Sequence, residues 1–351
     1  MKGMRGRMAA GLLLTLLTAW LHGGEGRTAP RDDFPLLRGP YLGQPPPGVQ
    51  ARLFAPGIVG TGMHERDVAM TPDGREIYFG VTFGRIVTLM VSRLENGRWT
   101  EPAVAPFAAD LKYFHFEPCI SADGKRMLFL TNRPPQGQEP APGWTHQNIW
   151  AVDRGEDGRW GAPYDLGPPV NTADAEFFPS LARDGTLYFT RSDPKFEKTA
   201  ILRSRRVDGR YQEPEALPAA VNGRGLVYNA FVAGDESHLI ATVDGRDDSR
   251  TPGLPNYYIF FRDGEGGWSE GVNLGERANF QGAEASSPYV SPDGKFFFFS
   301  STKAGEIASS PEKPATLRTL REYFAGPQNG NSDIYWIEAA FLETLRPPRR
   351  D

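Results

Sequence analysis

Short apolar runs alternate with turn residues along most of this chain, and the runs recur in a fixed order. An apolar stretch, an Asp-Gly pair and a second, aromatic stretch appear as VAMTPDGREIYFG (68–80), PCISADGKRMLFL (118–130), PSLARDGTLYFT (179–190), AFVAGDESHLIAT (230–242) and PYVSPDGKFFFFS (288–300). The turn aspartates Asp73, Asp123, Asp184, Asp235 and Asp293 stand 50, 61, 51 and 58 residues apart. Asp-Gly between alternating apolar runs predicts a tight β-hairpin in which both turn residues accept positive φ. Only the fourth copy, Asp235-Glu236, lacks the glycine.

A third run follows each hairpin: RIVTLMVSRL (85–94), NIWAVDR (148–154), AILRSRRV (200–207), YYIFFRD (257–263) and DIYWIEA (333–339). Second turns come next at Asn96-Gly97, Asp157-Gly158, Asp208-Gly209 and Gly266-Gly267, with a large ring just beyond each, Trp99, Trp160, Tyr211 and Trp268. At the start of an outermost strand these rings predict packing against a neighbouring repeat rather than a sugar platform. The fourth runs end alike, in VAPFAA (104–109), LGPPVN (166–171), LPAAVN (217–222) and LGERAN (274–279). The fifth copy has no such ending, and FAPGIV (54–59) lies ahead of the first copy, where a displaced fourth strand would sit. Four antiparallel strands per repeat make the blade of a propeller, and a ring of blades needs its ends sealed. The chain is therefore read as all-β, a β-propeller of five four-stranded blades whose last blade is closed by an N-terminal strand. A six-bladed alternative needs more than one strand from residues 34–59, against their proline content.

The DG hairpin followed by DIYW-like and W-x-x-P strands resembles the WD40-like (PD40, TolB-like) β-propeller repeats of bacterial exported proteins, over about residues 41–346. YLGQPPPG (41–48), FAPGIV and DIYWIEA look like a subgroup of these that carries no assigned chemistry to transfer. Related repeats often read S-N-R after the second strand, as Asn132-Arg133 does here; the third and fourth blades lack that arginine. The resemblance implies the fold, and activity has to be argued from the site itself.

Lys2, Arg5 and Arg7 precede an apolar run from Met8 to Leu21, the order of a secretory signal and shorter than a membrane span of about 20 residues. Residues 1–22 are thus read as a signal peptide, with an uncleaved N-terminal anchor as the alternative. Residues 23–48 form a Pro/Gly-rich extended leader, 49–346 a single propeller domain and 347–351 a tail. A periplasmic or secreted location follows, with no further transmembrane span. A net charge of −4 and the absence of a Lys/Arg stripe point away from nucleic acid. The single cysteine, Cys119, cannot form an intramolecular disulfide and reads as a small buried hydrophobe.

Strand order places the joins between blades and the second-to-third connections on one face. Those connections are long at 131–147, 190–199, 242–256 and 301–332, and long irregular loops are commonly functional. Within the last, Leu317, Leu320 and Phe324 at helical spacing predict a short amphipathic helix lying over that face. The Asp-Gly turns of the opposite face are too short to hold much. Entering the innermost strands are His64, Glu65, Asp67, His115, Glu117, Glu176, Asn229 and Glu284, which with Arg133 are the candidate ligand-binding residues of a central funnel. Carboxylates on such a rim suit a cation, an amine or a sugar, and their alternative role is to cap strand ends or pair with arginines. His64 and His115 with an acid have ligand types adequate for zinc but no motif spacing, so neither a metal nor another cofactor is expected. Asp67 with Glu176, or Glu117 with Glu284, would serve a glycosidase if set about 5–9.5 Å apart. No catalytic motif is present. The sequence therefore reads as an exported binding or scaffold protein, a monomer, that recognises an envelope protein or a glycan on its long-loop face. The alternative is a carbohydrate- or peptide-directed hydrolase or lyase using the funnel carboxylates.

Overall fold

An aspartate at a hairpin turn can bind the turn with its own carboxylate, and each repeat here does so. Gly74, Gly124, Gly185 and Gly294 take φ of 67°, 71°, 87° and 72°, and in the fourth copy Glu236 takes the same region at 56°. The aspartates stay outside that region, a departure from the expectation of positive φ at both residues. Asp73 Oδ1 instead accepts from Thr71 Oγ1 at 2.6 Å and from Arg75 N at 3.1 Å, and Asp293 Oδ1 from Ser291 Oγ at 2.7 Å and Lys295 N at 3.2 Å. With Gly74 N donating to Thr71 O at 2.8 Å, the connection is a type I turn followed by one left-handed residue, which sets the strand twist that a blade needs.

A computed structural model describes residues 34–348 apart from 142 and 263–265. The export signal expected at 1–22, much of the leader at 23–48 and most of the tail at 347–351 lie outside those residues. Blade 1 is built from His64–Met70, Glu76–Phe83, Ile86–Glu95 and Ala103–Val104, with Arg98–Trp99 extending its third strand. Blade 2 comprises His115–Ile120, Arg126–Thr131, Asn148–Asp153 and Tyr164–Asp165. Blade 3 comprises Ala175–Leu181, Leu187–Ser192, Thr199–Ser204 and Glu215–Ala216, with a small ribbon at Arg206–Val207 and Arg210–Tyr211. Blade 4 comprises Leu226–Val232, His238–Asp244, Asn256–Phe261 and Val272–Asn273. In blade 5, Ala285–Val290, Phe296–Ser301 and Asp333–Glu338 are completed by Arg52–Leu53 from the N-terminal side. The first strands pack each against the next, and the fifth against the first. This is the five-bladed propeller, and a sixth blade is absent from the described residues.

The closing strand is offset by two residues from its expected place. Arg52 pairs with Trp336 and Leu53 with Tyr335, and Phe54 N donates to Ile334 O at 2.9 Å. FAPGIV itself folds back as a turn, in which Ala55 O accepts from Ile58 N and Val59 N at 3.0 and 2.9 Å. Proline and glycine within it preclude a ladder. Phe54, fully buried, drops between Phe298 and Trp336, with ring centroids 5.0 and 5.2 Å away. Tyr41 covers the same cluster and its hydroxyl donates to Asp293 Oδ1 at 2.8 Å, while Trp99 Nε1 donates to Gly39 O at 2.7 Å. The stretch 37–48 therefore ties blade 5 to blade 1 from the outside.

Two sequence repeats acquire a physical role here. The asparagines that end the fourth strands imitate a backbone: Asn171 accepts from Ile149 N at 3.0 Å and donates to Ile149 O at 2.8 Å, Asn222 does the same for Ile201 at 2.9 and 3.0 Å, and Asn279 for Tyr257 at 2.8 and 3.1 Å. Each satisfies the N–H of a buried third-strand peptide and shares its carbonyl with the amide that follows the fourth strand, that of Leu166, Leu217 or Leu274. The rings after the second turns pack toward the preceding blade. Trp160 Nε1 donates to Tyr78 OH of blade 1 at 2.7 Å, and Trp268 joins the core between blades 3 and 4.

The seal predicts its own energetics. Phe54→Ala should cost about 3–5 kcal/mol in chemical denaturation, whereas Val49→Ala, at an exposed neighbouring position, should stay within about 0.5 kcal/mol. Equal, small losses for both would show that closure does not depend on this ring.

Candidate functional site

Each innermost strand breaks its pairing with the second strand at one residue. The register shifts fall between Arg66 and Ala69, Phe116 and Cys119, Phe177 and Ser180, Tyr228 and Phe231, and Ser286 and Tyr289. At every break one residue adopts a left-handed backbone: Asp67 at φ 58°, Glu117 at 56°, Phe178 at 51°, Asn229 at 50° and Ser287 at 57°. Such a conformation costs a non-glycine residue roughly 1–2 kcal/mol and frees a backbone amide from the ladder. In blades 2, 3 and 4 the freed amide goes to the preceding blade. Glu117 N donates to Asp67 Oδ2 at 3.2 Å and Phe178 N to Glu117 Oε2 at 2.8 Å. Phe178 has no acceptor to offer, and Thr190 Oγ1 takes its place, accepting from Asn229 N at 3.0 Å. The Ser287 hydroxyl donates to Asp67 Oδ1 and joins blade 5 to blade 1. Asn229 Oδ1 is the one buried polar atom of this layer without a partner among the described residues.

Arg66 completes the arrangement. Its Nε donates to Asp67 Oδ1 and its Nη2 to Glu117 Oε1, both at 2.9 Å, while the guanidinium lies 5.2 Å from the Phe116 ring centroid. All four carboxylate oxygens of Asp67 and Glu117 are thereby engaged. Burial, the largest influence, pushes the Glu117 carboxyl above its usual range, Arg66 pulls it down and the Asp67 charge adds to the upward push. Phe116, Phe177, Phe178, Val87 and Leu130 form a core cluster with Tyr228 beside it, and this aromatic layer plugs the channel toward the long loops. Trp144 and Phe196 extend it outward, 5.4 Å from Phe116 and 5.7 Å from Phe177, and both remain exposed.

Below that layer a cavity of about 430 Å³ opens, floored by Asp67, Glu117, Phe178 and Ser287 and bounded by Ser121, Arg183, Asp235 and Pro292 near the Asp-Gly turns. The axial hollow thus opens on the short-turn face, which the sequence reading took to hold little. Five short turns splay around the axis and leave a mouth that no single turn could make.

The remaining candidate residues do not join one site. Glu176 is fully buried and accepts from Thr172 N at 2.9 Å, Thr172 Oγ1 at 2.6 Å and Arg191 Nε at 2.8 Å; burial raises its pKa. Glu284 is exposed, and its amide donates to Thr302 Oγ1 at 2.9 Å. His64 is exposed at the boundary of blades 1 and 5, where its Nδ1 accepts from Ser332 N at 3.2 Å. His115 is buried in blade 2 with neither ring nitrogen hydrogen-bonded, and desolvation, with Arg133 nearby, brings its pKa down to about 4. The Arg133 guanidinium stacks 5.3 Å from the Tyr113 centroid and 5.5 Å from that of Trp150. Glu65 is fully buried beside Thr61, whose hydroxyl donates to its Oε1. Among the described residues no three His, Cys, Asp or Glu side chains gather as metal ligands. The two-histidine set weighed from the sequence is thus split between a surface and a core position.

Counting back from the turn aspartates would have sorted these residues. Asp67, Glu117, Phe178, Asn229 and Ser287 all stand six positions before the turn, whereas Glu65, His115 and Glu176 stand eight before it, on the buried blade-facing side. Arg66, Phe178, Ser287, Thr190 and Arg191 give no signal as isolated residue types, and only the six-position offset from the turn aspartates marks Phe178 and Ser287 as equivalents of Asp67.

The long-loop face differs in character from the channel. Of the thirteen exposed large apolar side chains among the described residues, nine lie on it, with Phe83, Trp144, Phe196, Leu317, Leu320 and Phe324 the most exposed. The helix Leu317–Ala325 forms where expected, capped by Thr316 and Thr319, but none of its residues is buried. Its apolar stripe faces solvent instead of covering the ring: Leu317 is 64% and Phe324 72% exposed. The helix is held at its C-terminal end, through Asn329 Nδ2 to Phe324 O at 2.7 Å and Tyr323 OH to Gly305 O at 3.3 Å, rather than by its apolar side.

No family model and no curated protein matches the chain. Solved propellers do. TolB from Acinetobacter baumannii is 14% identical with a TM-score of 0.41, covering 78% of this chain and 57% of its own. The α-L-arabinofuranosidase PaAbf62A from Podospora anserina, in complex with cellotriose, is 12% identical with a TM-score of 0.45, covering 84% of this chain and 97% of its own. The periplasmic gluconolactonase PpgL from Pseudomonas aeruginosa is 15% identical with a TM-score of 0.38, covering 67% of this chain and 64% of its own. The chain thus spans less than two thirds of the TolB and gluconolactonase chains, and at these identities the likeness is one of fold.

The ring's dependence on Arg66 is measurable. Arg66→Met leaves Asp67 and Glu117 buried without a cation, and urea unfolding at pH 7.5 should show a loss of about 3–5 kcal/mol. Burial already holds the Glu117 carboxyl above its unfolded pKa and Arg66 pulls it down, so without Arg66 stability rises as pH falls from the folded toward the unfolded value. The deficit should therefore shrink at pH 5. A deficit that is the same at both pH values would show that Arg66 acts by packing alone.

Proposed function

We propose that the chain is an exported binding or scaffold protein of the cell envelope, of the WD40-like (TolB-like) repeat kind, that recognises its ligand on the long-loop face. The observation that carries this reading is the concentration of exposed apolar side chains there, around the unburied stripe of the helix Leu317–Ala325. Soluble proteins seldom leave large apolar side chains gathered on one face without a use for them. Leucine, isoleucine, methionine and phenylalanine together suit a protein partner, whose anchors fill apolar pockets. A glycan remains the second ligand class, supported by the adjacent exposed rings of Trp144 and Phe196, since sugars present apolar faces to such rings.

The alternative of a hydrolase or lyase working in the funnel rests on carboxylates with a free oxygen. Glu65 keeps one unpartnered oxygen but is fully buried where blade 1 meets blade 5, and Glu284 is exposed, whereas Asp67 and Glu117 are held by Arg66 and by neighbouring amides, and Glu176 by Arg191 and Thr172. A general acid or base has to exchange its proton with a substrate, and these groups already bind the fold together. Export is supported by the basic residues Lys2, Arg5 and Arg7 ahead of the apolar run 8–21. Among the described residues no helix is long and apolar enough to cross a membrane.

A pull-down from envelope extract and a glycan array, each run with wild type, a Leu317→Ser/Leu320→Ser/Phe324→Ser variant and a Trp144→Ala/Phe196→Ala variant, test the reading. Loss of anchors of this size should weaken a specific ligand by at least about tenfold. Val207→Ser, on the opposite face, should bind as wild type does. Retention by both long-loop variants, or loss in the Val207 variant alone, would move the ligand to the other face.

A further inference from the structure

Five acidic side chains are buried in this fold among the described residues: Glu65, Asp67, Glu117, Glu176 and Asp333. Three have an arginine, Arg66 or Arg191, within ion-pair distance. Glu65 and Asp333 have none, although they are 0% and 1% exposed. They come together where the ring closes, since Glu65 N donates to Ser332 O at 2.7 Å and Ser332 Oγ to Glu65 O at 3.1 Å, one residue before Asp333. The loop ahead of blade 1 spans both: Thr61 holds Glu65, and a Cβ on the adjacent Gly60 would lie 3.8 Å from Asp333 Oδ1.

Each carboxylate is half satisfied. The Thr61 hydroxyl donates to Glu65 Oε1, and Gln328 N donates to Asp333 Oδ2 at 2.6 Å. Glu65 Oε2 and Asp333 Oδ1 are both buried with no partner. Desolvation takes Glu65 up to about 7, with the charge of Asp333 adding to it, and desolvation takes Asp333 up to about 6. Two buried like charges without a counterion are a costly arrangement unless a proton or a metal ion lies between them. The unpartnered buried atoms at the seam are both carboxylate oxygens, with a hydroxyl beside them, while the neighbouring His64 imidazole is exposed and its Nδ1 is occupied by Ser332 N. That set suits a hard cation.

We propose that Glu65 and Asp333 bind one hard divalent cation, of the calcium or magnesium class, at the seam between blade 1 and blade 5. The ion bridges Glu65 Oε2 and Asp333 Oδ1, takes its remaining ligands from water and nearby oxygens, and joins the strand after the N-terminal closure to the last strand of the ring. It stabilises the closed propeller by binding the folded state alone.

The test is a calorimetric titration of EDTA-stripped full-length protein with calcium chloride and with magnesium chloride at pH 8, together with thermal melts. One site per chain is expected, with Tm raised by roughly 3–5 °C when the ion stands a hundredfold above its Kd. Glu65→Gln and Asp333→Asn, which mimic the neutral acids and so fold without the ion, should each abolish the binding heat and the Tm shift. Asp247→Asn, on an exposed loop, should leave both unchanged. Absence of heat and of any Tm shift in the wild type for both ions overturns the site, as does binding that persists in both carboxamide variants. If a shared proton fills the gap instead, the wild type will ignore the ions and grow more stable as pH falls from about 7 toward 4.5, because its folded pKa values stand above the unfolded ones.

Discussion

The amides released at the bulges of the innermost strands of blades 2, 3 and 4 find their acceptors inside the ring, on the preceding blade. Asp67 accepts the amide of Glu117, and Glu117 accepts that of Phe178. A propeller blade makes its hydrogen bonds within itself, so blades ordinarily meet through apolar packing alone. Here a polar circuit at the axis adds direction to that packing. It also explains why acids can lie at the centre of the fold: Arg66 pairs with two of them from one position. The left-handed backbone of five non-glycine residues is held in place by the same circuit.

This constraint separates the two ends of the molecule. Toward the Asp-Gly turns the channel opens as a cavity of about 430 Å³ whose floor is the circuit itself. Toward the long loops it is filled by Phe116, Phe177 and Tyr228, and beyond them come the exposed rings of Trp144 and Phe196. A ligand on the long-loop face therefore meets an apolar surface and never reaches the carboxylates. That is why the chemistry suggested by acids in the sequence and the recognition suggested by apolar loops belong to different layers, and why the loops carry the functional reading.

The architecture was legible because a period of about fifty residues, with Asp-Gly at each return, has few structural meanings. Even the missing fourth strand of the fifth repeat could be located, although the pairing residues proved to be Arg52 and Leu53 rather than the conspicuous FAPGIV. Side-chain roles were less legible. The terminal asparagines Asn171, Asn222 and Asn279 stood out as a repeat, but their work on the peptides of Ile149, Ile201 and Tyr257 depends on a third strand more than twenty residues earlier. The helix Leu317–Ala325 was placed correctly while its orientation was not, because helical spacing shows that an apolar side exists and not what it faces. Asp333 gave no signal at all, since one acid at the start of a strand is common and only the fold sets it against Glu65.

The closure seam gathers the features that the other four blade junctions lack. Gly62, three residues before Glu65, accepts at its carbonyl from Asn329 Nδ2 at 3.0 Å and Asn331 Nδ2 at 2.9 Å, and a Cβ there would sit 2.6 Å from Phe324 O. The loop that carries the exposed helix is thus bound to the loop that leads into blade 1, and glycine is required at the point of contact. Ser332 ends that same long loop and is hydrogen-bonded to Glu65 in the first strand of blade 1, and Asp333 begins the last strand opposite Ser301. Anything that tightens the Glu65–Asp333 contact also fixes both ends of the segment 301–332, and hence the presentation of Leu317, Leu320 and Phe324. Ring closure and the placement of the exposed helix are in this way a single structural problem, solved at one seam.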